Sequence, residues 1–480
     1  MLWIVGEEDR AEMSLQQNTN ASCSQELDDD GRPKRTGTLW TASSHIVTAV
    51  IGSGVLSLAW AIAQLGWIAG PIALIFFSMI TLFTSTLLSD CYRNPISGKR
   101  NYNYSSAVKS NLGTIQIWIC GFCQYVNLCG TAVGYTITAS ISAAAVAKSH
   151  CFHKKGHEAD CGVSYTIYMI IFGASQILLS QFPDLQNISW LSVLAAIMSF
   201  SYSTIGVVLA IAQIVSGNTG KTTITGTIVG VDVTQTEKVW NVFQALGNIA
   251  FACSFSMVLI EIQDTLKSPP AENKVMKKAS IISVSITTVF YMLCGCLGYS
   301  AFGNSAPGNM LTGFGFYEPF WLIDIANICI VIHLLGAYQV FCQPVFAVME
   351  KTVIKKWQNI KILSSEMTLT NATSFPVTLN ITRLIWRTVF VVIITSLAII
   401  MPFFIDVMGF LGAFAFWPLT VYFPIEMYIS QKKIAGSSRK GIMVRLLSFL
   451  CLLVSLAAAI GSIQGVVVSL GRYKPFHTMS

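Results

Sequence analysis

Eleven stretches of roughly twenty mostly apolar residues recur along this chain, at about 39–65, 70–91, 115–146, 165–182, 188–215, 240–266, 279–301, 319–349, 383–403, 405–430 and 445–470. A helix of that length is what crossing the hydrocarbon of a bilayer requires. Inside lipid every backbone polar group must be bonded within the protein, so a spanning chain is limited to helices or closed barrels, and runs this long select helices. With 53% hydrophobic and 11% charged residues among 480, too little polar surface remains to coat a soluble globule. The expected fold class is an all-α polytopic membrane protein with eleven transmembrane helices. Residues 1–38, which carry Glu7, Glu8, Asp9, Asp28, Asp29 and Asp30, read as a disordered tail, and 39–475 as one transmembrane domain.

Charge placement orients the bundle. With the N-terminus in the cytosol, 23 of the 30 Lys and Arg residues fall in inner segments and seven in outer ones, the bias of the positive-inside rule. A cytosolic N-terminus and an extracellular C-terminus are therefore expected. The net charge of +7 is accounted for by this topology and does not argue for nucleic acid. Of 13 cysteines, Cys151 and Cys161 alone fall in an outer loop, which faces an oxidising compartment and favours a disulfide. His150, His153 and His157 flank them, so a Cys/His metal site is the alternative, though the loop lacks metal-finger spacing; no metal is expected.

The first span is interrupted by Ile51-Gly52-Ser53-Gly54. Glycines at i and i+2 lie about 200° apart around a helix, whereas close helix packing through small residues wants i and i+4. An unwound segment fits better, and it frees N–H and C=O groups that hydrocarbon cannot satisfy. Five spans later, Leu246 to Ser256 forms a second cluster of small and polar residues. Two inverted halves of five spans each, followed by an eleventh, would set discontinuities in spans one and six side by side, an arrangement that in membrane proteins of this type faces a substrate or coupling ion. Close packing of small residues is the competing account of both.

The segments Arg35-Thr36-Gly37-Thr38-Leu39-Trp40-Thr41, IGSGVLSLAWA from Ile51, Gly134-Tyr135-Thr136-Ile137-Thr138-Ala139-Ser140, VLIEIQDTLKSPPAENK from Val258, GNMLTGFGFYEPFWLID from Gly308 and FWPLTVYFPIEMYI from Phe416 resemble the plant amino acid permeases of the amino acid/auxin permease superfamily. The resemblance covers about residues 28 to 476. It implies the leucine-transporter type of inverted-repeat fold and proton-coupled import of amino acids at the plasma membrane by alternating access, with amino acid, proton and lipid bilayer as partners and no cofactor. The chain departs from the family pattern at Val126 and Cys129 in span three, and at Cys253 with Phe255 in span six.

An amino acid crosses as a zwitterion, and both charged ends need partners in a low-dielectric site. Amides at Gly52, Ser53 and Gly54, at the positive end of a half-helix, suit the carboxylate. Carbonyls around Ile51 and from Phe251 through Cys253 to Ser254 suit the ammonium. Side-chain selection is expected from Tyr125, Asn127 and Gly130 in span three and from Phe251, Cys253 and Phe255 in span six. For the proton, the intramembrane candidates are His45, Glu261, Asp324 and His333. His45 leads, seven residues before Gly52 and on nearly the same face, with the near-neutral titration of histidine. Asp324 and His333 are nine residues apart on opposite faces, so they cannot share a site. Glu261, Asp264 and Lys267 suggest an inner gate, and Glu426 a charge pair with Lys432 and Lys433. A sodium-coupled carrier and a receptor that binds amino acid without net transport are the alternatives. A channel lacks its ring of like charges, and no nucleophile and base stand together as in an enzyme.

Overall fold

The computed structural model describes residue 28 and residues 34–181, 189–315, 319–356, 366–369 and 377–472. Thr38 starts the first helix with a reciprocal cap: its hydroxyl accepts from the Thr41 amide while its own amide donates to the Thr41 hydroxyl. Helix α1 (Leu39–Val50) then stops, and the chain passes through Ile51 and Gly52 into a 3-10 turn, Ser53–Ser57, and on into α2 (Leu58–Asp90). Helix α2 bends at Gly66. Its φ of 81° is left-handed, and a Cβ there would stand 2.2 Å from the Ile224 carbonyl oxygen, so glycine is required on both counts.

Helices α3 (Tyr104–Leu112), α4 (Thr114–Lys155), α5 (Tyr165–Ser180) and α6 (Ser189–Val215) follow. Helix α7 (Gln235–Cys253), capped reciprocally by Thr234 and Glu237, ends at Ser254. A 3-10 turn, Ser256–Val258, and the short α8 (Leu259–Gln263) complete that span. Then come α9 (Glu272–Phe302), α10 (Phe320–Lys356), an antiparallel hairpin of β1 (Glu366–Leu369) and β2 (Val377–Asn380) with Glu366 opposite Asn380, and α11 (Ile381–Ile400). Helix α12 (Phe404–Ala415) runs through a π-helical segment, Phe416–Tyr422, into α13 (Phe423–Lys432), and α14 (Arg439–Arg472) ends the described chain. Pro418 lies in that π segment and has no N–H to give to a regular ladder.

Nine helices among the described residues are long and apolar enough to cross a membrane. The expected fourth span is the shorter apolar helix Tyr165–Ser180, and the end of the expected first span shares one run, Ser53–Asp90, with the second across the Gly66 bend. The hairpin is an addition to the all-α expectation. Most of the expected tail lies outside the described residues, but its last part is packed: Arg35 has a side chain only 7% exposed and pairs with Asp28 at 2.5 Å. Helix α2 packs on α7 and α9, α4 on α10, and α7 on α12 and α14. Ile68, Ile72, Phe76 and Met79 on α2, and Leu446, Leu450 and Leu453 on α14, face outward, as lipid-facing side chains do.

A cavity between two interrupted helices

The two interruptions touch. A Cβ on Gly54 would meet the Ala252 Cα at 3.0 Å, so here the small residue serves close packing. The Tyr291 hydroxyl of α9 reaches both the Val50 and Ala252 carbonyls, the latter at 2.9 Å, and so joins the last turns of α1 and α7. Other freed carbonyls are also taken by hydroxyls from α6. Ser199 donates to Ile51 at 2.8 Å and Tyr202 to Gly52 at 3.0 Å. Of the carbonyls expected to be open to a ligand, those of Ile51 and Ala252 are thus already bonded within the protein. The amides of Ser53 and Gly54 open the 3-10 turn and donate to nothing outside it among the described residues.

Around these ends lies a cavity lined by Gly52, Ser53, Gly54, Asn127, Phe251, Ser254 and Phe255, all expected from the sequence. Four expected residues, Ile51, Tyr125, Gly130 and Cys253, stand off it. The Ile51 carbonyl is turned to Ser199, the Cys253 thiol lies 3.6 Å from the Ser78 hydroxyl on α2, and Tyr125 is not among the lining residues. Gly130 instead receives Leu411, whose Cδ2 would be 2.1 Å from a Cβ there. Gly52 has room for a Cβ, with the Tyr135 hydroxyl at 3.8 Å and His333 Nε2 at 4.0 Å, and its φ of −118° does not demand glycine. Its small size keeps the cavity open.

Sequence reasoning missed Thr131, Tyr135, Ser256, Phe341, Leu411 and Thr420 in the lining. Asn127, Thr131 and Tyr135 recur at intervals of four on the apolar α4, a polar stripe legible by helical spacing. Within this lining, Asn127 Oδ1, Thr131 Oγ1 and Ser256 Oγ are buried without a hydrogen-bond partner. Buried polar atoms are nearly always paired, so three atoms on one cavity without a partner among the described residues set it apart from ordinary core. No lining residue is ionisable apart from the Tyr135 phenol.

Of the titratable candidates, His333 is at the break. It is 1% exposed, and its Nδ1 lies 3.0 Å from both the Ala195 carbonyl oxygen and the Ser199 hydroxyl. Ser199 spends its one proton on Ile51, and a carbonyl only accepts, so Nδ1 carries a hydrogen, and Nε2 is the ring nitrogen turned toward Gly52. His45 is exposed on the side of α1. Asp324 pairs with His150 at 3.4 Å, and Glu261 accepts from the Tyr104 amide at 3.1 Å, at the start of α3. Glu426 pairs with Arg445 of α14, not with Lys432 or Lys433.

The end of the bundle that carries Arg35 is sealed beneath the cavity. Arg35 bonds Glu272 at 3.0 Å and Tyr92 at 3.1 Å, Tyr92 donates to Asp264, and Arg93 holds Glu272 at 2.5 Å. Backbone pairing adds to this: the Gly37 amide donates to Thr265 and the Lys267 amide to Gly37. At the opposite end Cys151 and Cys161 form a disulfide. His153 stacks on Phe320 and His157 on Phe152, so the neighbouring histidines take separate partners.

Membrane-crossing helices, two of them interrupted side by side around a largely apolar cavity with a few polar groups, define the class of carriers built on discontinuous helices. The chain belongs to the transmembrane amino acid transporter protein family, whose profile matches residues 35–468. It is 58% identical to Amino acid permease 8 of Arabidopsis thaliana over 455 residues, 94% of this chain and 96% of that one. It is 57% identical to Amino acid permease 3 of the same plant, over 94% of this chain and 95% of that protein. Among solved structures it is similar to MhsT in complex with L-phenylalanine, with a TM-score of 0.55 at 11% identity, covering 90% of this chain and all of that one. That likeness is one of fold, the leucine-transporter type that the sequence resemblance implies.

Proposed function

We propose that this protein is a proton-coupled importer of amino acids with uncharged side chains, working at the plasma membrane by alternating access with its N-terminus in the cytosol. The observation that carries the reading is the cavity between the breaks, with orphaned Asn127, Thr131 and Ser256 and no charged side chain in its lining. Free amides at Ser53 and Gly54 suit a carboxylate, and the orphaned oxygens of Asn127 and Thr131 suit an ammonium. A cationic or anionic side chain would meet no counter-charge there. The names of the similar permeases support amino acids as cargo.

The cavity is closed down to about 40 Å³, room for a few water-sized groups. Admitting an amino acid therefore needs movement of the lining, and the sealed Arg35 end beneath supports entry from the other side. For the proton, the position of His333, buried with Nε2 turned toward Gly52, supports this residue as acceptor over the exposed His45. A proton moving through 100 mV supplies about 2.3 kcal/mol and a pH unit about 1.4 kcal/mol, enough for roughly a few hundredfold accumulation. Labelled-amino-acid uptake in a transport-deficient cell is the test. Accumulation that persists without sodium, collapses with the pH gradient and loses its proton flux in His333→Gln is expected. Binding without accumulation would make the protein a receptor, and sodium dependence would replace the proton.

A further inference from the structure

Away from the cavity, α7, α12 and α14 enclose a second polar cluster. Asp406, in the first turn of α12, is 8% exposed. One carboxylate oxygen accepts from the Gln244 side-chain amide of α7, and the other accepts from the Ser469 hydroxyl of α14 at 2.7 Å. Among the described residues no cation pairs with it. The start of α12 supplies a helix dipole, which offsets only part of the desolvation of an ion. One turn on, Asn248 Oδ1 and Ser462 Oγ, both 0% exposed, have no hydrogen-bond partner, and both side chains converge on Gly409. Helix α14 is shaped to close this site: a Cβ on Gly465 would stand 2.3 Å from Asp406 Oδ1 and 2.7 Å from the Gln244 amide nitrogen.

We propose that Asp406, clasped by Gln244 and Ser469, is a proton-binding site of the transport cycle additional to His333, and the one that sets its external pH dependence. The faces turned to it are Gln244 and Asn248 from α7 and Ser462, Gly465 and Ser469 from α14, while on the α4 side Met408 and Leu411 of its own helix fill the space at Gly134 and Gly130. None of these titrates, so the carboxyl is the single group there that can take up a proton. Protonation adds one O–H to the carboxylate and breaks no other covalent bond. It turns a charge-assisted bond from Gln244 into a neutral and weaker one, which loosens α12 from α7, the helix that ends at the cavity. External acidity thereby acts on an element that contacts the cargo.

The inference rests on the proton-coupled reading, and one experiment separates the two. Substrate-evoked proton flux and labelled uptake are measured together from external pH 5 to 8, with surface protein quantified. If the wild type moves no protons, the coupled reading fails and this proposal with it. If the wild type is coupled, the protonated fraction of one group changes by up to about tenfold per pH unit on its alkaline limb, and Asp406→Asn should flatten that limb to under about twofold. Ser469→Ala keeps the carboxyl but removes a donor to its charged form, so it should move the midpoint to higher pH. It decides the matter by itself should Asp406→Asn fail to reach the surface. A coupled wild type whose pH profile Ser469→Ala leaves unmoved, or whose slope persists in a well-expressed Asp406→Asn, overturns the assignment.

Discussion

The hydroxyl of Thr131 has no protein partner, so in the ligand-free protein it contributes nothing by bonding. Replacing such a group with an apolar isostere is close to neutral or stabilising, whereas a hydrogen bond to a charged group is worth about 1.5–3 kcal/mol. Thr131→Val should therefore leave the melting temperature unchanged or raised while weakening apparent affinity by roughly ten- to over a hundredfold, read from uptake against substrate concentration. A destabilised variant with normal affinity would make Thr131 a packing residue. Gly52 gives a graded test. Alanine fits at 3.8 Å from the Tyr135 hydroxyl, but the methyls of Gly52→Val would enter the cavity, so Gly52→Ala should transport weakly and Gly52→Val not at all at equal surface expression. The interruption at these residues was legible because two glycines and a serine are conspicuous in an apolar run. The use of Gly54 for contact with Ala252 was not, since close approach depends on a helix about two hundred positions away.

Between elements, single side chains hold the breaks together. Tyr291 of α9 serves carbonyls of α1 and α7, and Tyr291→Phe would leave both without a hydroxyl donor, at a cost of about 1–3 kcal/mol. Thermal unfolding in detergent should show that loss, and uptake should fall with it; an unaltered melting curve would mean that water serves these carbonyls instead. The loop before α7 is held by Asp232, whose carboxylate accepts from the Ile228 amide and from Asn304, each at 2.7 Å. First the Ile228 amide and then Asn304 keep its pKa below the ordinary aspartate value of 3.8. A carboxyl held low in the folded state adds stability above its unfolded value and surrenders it as pH falls through the folded one. The stability gap between wild type and Asp232→Asn should thus stay level from pH 8 to 5 and close only below about pH 4. A gap that narrows between pH 7 and 5 would contradict this. Most helix positions could be read from long apolar runs, and the two interruptions from the small and polar residues set in them. Tyr202, Tyr291 and Ser199 could not, because a hydroxyl in an apolar helix does not announce which carbonyl it will meet.

For the molecule as a whole, a network of ion pairs and hydrogen bonds around Arg35 ties one end of the bundle together. Arg35 holds Glu272, Tyr92 and Asp28 together, and removing one partner of a buried ion pair costs about 3–5 kcal/mol. Since Arg93 continues to hold Glu272, the lower part of that range is expected for Arg35→Ala. The variant should shift toward a state open at this end, so that Cys91, fully buried beside Tyr92, reacts with a thiol reagent several-fold faster in inside-out vesicles. Unchanged reactivity would remove Arg35 from the gate. The sequence grouped Glu261, Asp264 and Lys267 toward one end of span six, where Asp264 and Lys267 join the contacts around Arg35 and Gly37, and it ranked His45 for the proton on helical spacing and on histidine titration. Helical spacing counts residues along one helix and has no access to His333, which is brought to Gly52 by tertiary packing.

The short ladder at Gly37 has a further meaning for how this carrier can be tuned. Its bonds run main chain to main chain, from Gly37 to Thr265 and from Lys267 back to Gly37, and a Cβ at Gly37 would press within 2.4 Å of the Thr265 oxygen. Substitutions elsewhere can strengthen or weaken the ion pairs around Arg35, yet these two peptide bonds depend on no side-chain charge, so any opening of this end would have to break and wet them. The segment before α1 and the one after α8 are thus joined by a main-chain contact that mutation of charged neighbours leaves in place, and deuterium uptake at the Lys267 amide would report each opening of this end.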